Sequence, residues 1–200
     1  MNIEEHPLEP FLPADAKMLF LGSFPPPKAR WSMEFFYPNW INDFWRIQGV
    51  IHHGDKSYFE ASGEKRFDQE RIVAFCHEVG IALFDTARKV CRLRDNADDN
   101  FLEVVEGTDV FGLLSQMPQC RTIVTTGGKA SEELQAYLET MGITVKIPKV
   151  GEWVAINQGD PLCCDGDSTT SLRWWRMPSS SRAYPMRLEQ KAEYYRRLFG

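Results

Sequence analysis

Two hundred residues leave room for one sizeable core, and 43% hydrophobic with 26% charged residues exclude a wholly disordered chain. No run of eighteen apolar residues offers a transmembrane helix. The opening Met1-Asn2-Ile3-Glu4-Glu5-His6 lacks the basic and apolar regions of a secretory signal, so a cytoplasmic protein with no membrane partner is expected. The net charge of −5 argues mildly against a general nucleic-acid coat, yet residues 173–197 carry +5 against −10 for residues 1–172. A basic patch of that kind can hold a short stretch of phosphate backbone.

In chain order, residues 17–22 (KMLFLG) form a continuous apolar run closed by Gly22-Ser23, the pattern of a strand buried on both faces. Helical patterns follow at 67–79, 109–117 (capped by Thr108), 131–141 (ended by Gly142) and 186–199. Strand patterns recur at 81–85, 121–126, 143–147 and 171–177. Strand and helix alternate without repeats or low-complexity linkers. This predicts one domain over 1–200, a three-layer α/β/α sandwich with a mostly parallel central sheet. Two stretches interrupt the pattern: residues 31–45, with seven aromatics, and the polar, turn-rich 159–170, expected as an exposed excursion.

Ligands of open α/β sheets bind beyond the carboxyl ends of the strands, so the loops after Gly22, Asp85, Thr126 and Met177 are the places to look. The first, Gly22-Ser23-Phe24-Pro25-Pro26-Pro27-Lys28, is stiffened by three prolines, and its flanking amides can meet a ligand. It also reads as a rigid solvent loop, and it matches no dinucleotide or P-loop fingerprint. In Tyr37-Pro38-Asn39-Trp40-Ile41-Asn42-Asp43, Asn42 is placed to cap a helix beginning at Asp43. Its neutral amide, both donor and acceptor, suits equally the holding of a water or a base edge. Met177-Pro178-Ser179-Ser180-Ser181-Arg182 offers hydroxyls, amides and one guanidinium to phosphates, or a plain turn before the last helix. Thr125-Thr126-Gly127-Gly128-Lys129 leads into a helix whose amides favour anionic or carbonyl groups. The four histidines have no partner at ligand spacing, His6 and His77 standing isolated. The five cysteines, including the vicinal Cys163-Cys164, contain no CxxC. Reduced thiols, no metal and no cofactor are therefore expected. Asp85 reads as a helix cap or loop support, and no nucleophile elbow for acyl transfer is present.

Taken in order, five segments resemble the uracil-DNA glycosylase superfamily, most closely its hypoxanthine and mismatch-specific uracil/thymine branch. They are Leu19 to Pro25, Tyr37 to Arg46, Gly80 to Asp85, Thr126 to Ala130 and Pro178 to Ser181. The resemblance implies a monofunctional base-excision repair enzyme. It flips a deaminated base, hypoxanthine or uracil, out of DNA and hydrolyses its N-glycosidic bond without metal. It places water with Asn42, the base against Gly22, Ser23, Phe24, Tyr37 and Gly128, and DNA backbone against Lys28, Ser179, Ser180, Ser181 and Arg182. Met177 stands where many relatives carry histidine, and Phe24 where mismatch-specific relatives carry their water-holding asparagine. The alternatives are a nucleoside or nucleotide N-glycosidase using the same pocket, or a non-catalytic binder of damaged or single-stranded DNA with the aromatic segment as stacking platform. The enzyme readings predict Asn42 facing a base-sized cavity. The binding reading predicts a blocked pocket, or Asn42 committed to capping, beside an intact basic surface. Nothing in the sequence demands more than a monomer.

Overall fold

The computed structural model describes residues 3–93, 102–156 and 171–200, so the segment 159–170 and Cys163-Cys164 lie outside the described residues. Two apolar runs, β2 (Met18–Gly22) and β3 (Ile81–Asp85), are buried at every position and pair in parallel. On its other side β2 pairs with β6 (Thr122–Thr126), and β6 pairs with β8 (Leu172–Met177), both in parallel. The edge strand β7 (Trp153–Ile156) runs antiparallel to β8, giving the order β3-β2-β6-β8-β7. β2 and β3 are covered on both faces, which is why they read as continuous apolar runs, whereas β8 leaves Arg173 exposed.

The covering helices are α1 (Phe44–His53), α2 (Gln69–Val79), α3 (Val110–Leu114), α4 (Gly128–Thr140) and α5 (Leu188–Arg196). The connection β2 to β3 steps one way along the sheet and β6 to β8 the other. Right-handed crossovers therefore put α2 and α4 on opposite faces, the three-layer α/β architecture expected from the sequence. Aromatic residues of the 31–45 stretch fill the core beside α1: Phe35, Phe36, Phe44 and Trp45 are all buried.

Three features differ from the sequence expectation. The segment 143–147 forms no strand: Ile143 is buried and Val145 and Ile147 rest on the core, but both edges of β6 are already taken by β2 and β8. The Val145 carbonyl accepts a hydrogen bond from the Gln135 side chain at 2.8 Å. Helix α4 begins three residues earlier than predicted, at Gly128, because Gly127 turns the chain with φ +125°. Helix α3 is capped by Asp109, which accepts from the Gly112 amide, while the Thr108 hydroxyl donates to the Asp85 carbonyl at 2.7 Å.

A second sheet was not legible beforehand. β1 (Ile3–Glu5) and the hairpin of β4 (Ala87–Arg92) and β5 (Leu102–Gly107) form a three-stranded antiparallel sheet, ordered β1-β4-β5. It follows directly after β3, so the first residues of the chain are carried to the carboxyl edge of the main sheet.

Candidate functional site

The parallel registers bring Gly22 opposite Asp85 and Thr126 opposite Met177, so the four expected loops open on one edge. There a cavity of about 930 Å³ is lined by Gly22 to Phe24, Tyr37, Asn42, Asp85, Gly128 and Ser179 to Arg182, among others. Every sequence-nominated residue faces it except Lys28. That side chain lies in the solvent with its ammonium 3.0 Å from Glu34 and 5.0 Å from the Trp31 ring centre.

Tyr37 is the only non-glycine described residue with a left-handed backbone, φ +50°, a conformation that costs energy and has to be held by its surroundings. Its ring stacks on Phe44 at 3.8 Å and 9°, and its hydroxyl is 2.9 Å from the Thr126 hydroxyl at the end of β6. Burial, reinforced by the charge of Asp85, pushes the phenol far above its ordinary range, so it stays a neutral donor.

Asn42 sits just before α1. Its Oδ1 accepts the Phe44 amide at 2.8 Å, so Asn42 caps the helix as expected, although the helix begins at Phe44, one residue later than expected; Asp43, at the cap position, gives no side-chain cap. Arg46 then fixes the backbone of this segment. It donates to the carbonyls of Trp40 (2.6 Å) and Asn42 (3.0 Å), pairs with Glu60 at 2.8 Å and lies over the Trp40 ring. Burial lowers the Arg46 pKa, opposed by Glu60. Asn42 therefore both lines the cavity and caps a helix. A carbonyl oxygen has two lone pairs and the side-chain amide two further hydrogens, so capping leaves it able to hold a ligand.

In the Ser179–Arg182 loop, Ser179 Oγ accepts the Ser181 amide and Ser181 Oγ accepts the Ala183 amide, each at 3.2 Å. Both hydroxyl hydrogens remain for donation. Ser180 is buried, and its carbonyl accepts the Asp43 amide at 2.9 Å. Arg182 donates through Nε to Asp43 at 3.1 Å. The basic patch counted in the sequence is thus partly spent: Lys191 is fully buried, with Nζ 2.9 Å from the same carboxylate and 2.7 Å from the Ser181 carbonyl.

Sequence reasoning missed one constellation. Asp85 is a buried carboxylate in the cavity wall, and its Oδ2 lies 2.9 Å from Nε2 of His6, a residue that looked isolated. His6 arrives on the segment after β1, its side chain 3% exposed among Phe24, Phe36 and Phe84. A Cβ on Gly22 would collide with Asp85 Oδ1, so the absence of a side chain there makes room for the carboxylate. The available signal was Asp85 itself, a charged residue ending an apolar strand. Among the described residues, no three His, Cys, Asp or Glu side chains gather to hold a metal ion, and no helix is long and apolar enough to cross a membrane.

No family model and no curated protein matches this chain. Among solved structures, the chain is similar to a solution NMR structure of a candidate uracil DNA glycosylase from Methanosarcina acetivorans. The two share 22% identity, each is covered over 100% of its length, and the TM-score is 0.59. At that identity the likeness carries the fold, which the two chains share from end to end.

Proposed function

We propose that the protein is a DNA glycosylase that hydrolyses the N-glycosidic bond of a deaminated base, hypoxanthine or uracil, turned out of the strand. The observation that carries this reading is the single cavity wall joining Tyr37, Asn42, Asp85 and the Ser179–Arg182 loop. The described solved structure, itself a candidate uracil DNA glycosylase, supports it through the fold. Asp85 ends β3 and the serine loop follows β8, three strand spacings away, or about 14 Å. A flipped nucleotide spans that distance, with the base edge at Asp85 and the sugar and phosphate at the serines. A deaminated base presents an N–H beside a carbonyl, and the Asp85 carboxylate accepts such an N–H. One face of the base lies against Tyr37.

Bond cleavage develops positive charge on the sugar, so water has to stand on one face while the base departs from the other. Asn42, clamped by Phe44 and Arg46, positions that water through its amide. The one lysine facing the cavity, Lys129, is paired with Glu133 at 2.8 Å, which supports a monofunctional enzyme without an amine nucleophile. The binding-only alternative gains from the capping role of Asn42. It loses more from the open cavity and from a basic surface whose Lys191 is buried.

Alkali-induced strand cleavage of labelled duplexes containing hypoxanthine or uracil tests the reading under single-turnover conditions. Wild type is expected to excise one of the two, and Asn42→Ala to lose about 100-fold in rate, as removal of a positioned catalytic group does. Binding of lesion duplexes by both proteins without cleavage by either would leave the fold and remove the enzyme.

A further inference from the structure

The two jaws of the cavity, the Asn42 segment and the Ser179–Arg182 loop, belong to distant parts of the chain and meet over one carboxylate. Asp43 is 6% exposed and follows Asn42 directly. Its backbone amide donates to the Ser180 carbonyl at 2.9 Å. Its Oδ2 takes the fully buried Lys191 ammonium, which also donates to the Ser181 carbonyl, and its Oδ1 takes Arg182. The two cations differ in kind. Lys191, on α5, has no access to solvent, whereas the Arg182 side chain is 52% exposed. Tyr195, one turn further along α5, donates to the Pro178 carbonyl at 2.9 Å, so the same helix holds the loop at its other end. The Asp43–Arg182 pair also borders a second hollow of about 550 Å³, lined in addition by Arg46 and Lys56.

A buried lysine is costly to desolvate, and an apolar residue of similar size would serve packing at least as well. What the charge adds is direction. It fixes the Asp43 carboxylate, and the fixed carboxylate holds Arg182 by Nε with its terminal amino groups left for a bidentate acceptor.

Building on the glycosylase reading, we infer that Lys191 and Asp43 form a positioning clamp. It joins the water-holding Asn42 to the DNA-gripping loop, so that a phosphate engaged by Arg182 also sets Asn42 over the sugar. Lys191 touches neither base nor water. Its effect passes through Asp43 to the neighbouring residue, and it therefore governs the rate of the chemical step more than the strength of DNA binding.

The test uses Lys191→Met, Lys191→Arg and Asp43→Asn in the full chain, each well below its own Tm. Single-turnover excision and the Kd for a lesion duplex are measured side by side. Lys191→Met and Asp43→Asn are expected to lose about 10- to 100-fold in rate, the range a displaced catalytic group produces, while Kd moves less than about threefold. Lys191→Arg, which keeps the charge, recovers part of the rate. An unchanged rate in folded Asp43→Asn, or equal losses in rate and affinity, overturns the clamp. Amide hydrogen exchange at Asp43 and Ser181 decides the same point without any activity. Both amides exchange faster together in Asp43→Asn if the clamp exists, and Ser181 stays protected if it does not. A wild type that excises nothing while the two amides respond together would remove the glycosylase reading and leave the coupling between the jaws.

Discussion

Gly22 shows how little space the cavity wall leaves at the residue scale. Its missing side chain is where Asp85 Oδ1 lies, with the Tyr37 hydroxyl 3.6 Å from the same point. Gly22→Ala forces the carboxylate away from His6 or distorts the end of β2. The expected result is a loss of excision of about tenfold or more, with destabilisation of about 1–3 kcal/mol as for other overpacked sites. Denaturant unfolding and single-turnover excision measure the two parts separately. A fully active Gly22→Ala protein would mean that Asp85 is not part of the base site. The sequence marked Gly22, Tyr37, Asn42 and the serine loop because their residue types announce turns, caps and anion contacts at strand ends. It did not mark the His6–Asp85 bond, whose partners stand 79 positions apart, nor the burial of Lys191, since composition counts a lysine as surface charge wherever it lies.

At the scale of elements, β2, β3, β6 and β8 were located within a residue or so, the first two because a strand buried on both faces leaves no polar alternation to confuse it, and β8 although Arg173 is exposed. The small sheet escaped for the opposite reason. Its strands are mixed in character: β5 is largely exposed or half-buried, and β1 contains two glutamates in three residues. Their pairing rests on backbone bonds and on ion pairs such as Arg92 with Glu4 at 3.0 Å, neither of which has a periodic signature. The 143–147 segment is the converse case. It has a strand's composition, but both sides of the preceding β6 are taken by β2 and β8, and pairing is a property of neighbours.

Helix α1 also carries a pH response. His52, in its last turn, packs against Phe75 and Phe199 with ring centres 4.9 and 4.5 Å away. Burial, and secondarily His53, lowers its pKa from 6.5, with Glu78 opposing. The unfolded chain therefore binds a proton at His52 more readily than the folded one. Stability from this residue is intact above about pH 6.5 and falls as the solution is acidified. Thermal melts from pH 7 to 5 are expected to drop less steeply for His52→Phe than for wild type. Identical slopes would assign the acid sensitivity to other groups.

For the whole molecule, the charge distribution limits how the proposed DNA substrate can be held. The chain is net negative, and the cavity rim offers Arg30 and Arg182 as its guanidinium groups, with Lys129 already paired to Glu133. Affinity for a lesion duplex should therefore depend on salt with a slope of about −2 to −3 in log–log form, corresponding to two or three phosphates. Fluorescence anisotropy over a salt series measures it. A slope steeper than about −6 would require many more basic residues at the DNA than the cavity rim offers. Shallow salt dependence leaves discrimination to the cavity and to the ease with which a damaged base leaves its stack.

The contacts that close the cavity also fix when it can exist. Arg182 and Lys191 reach Asp43 across 139 and 148 residues of chain. Contacts of that separation are slow to form, and synthesis must pass Arg182 and Lys191 before each becomes possible. By then β2, β3 and β6 have all been synthesised and can pair with one another, while the cleft between them still lacks one wall. A stalled or prematurely terminated chain ending before Ser179 would thus carry the aromatic floor and Asn42 without the Ser179–Arg182 loop opposite them. On the proposed function, such an unfinished chain would excise no base.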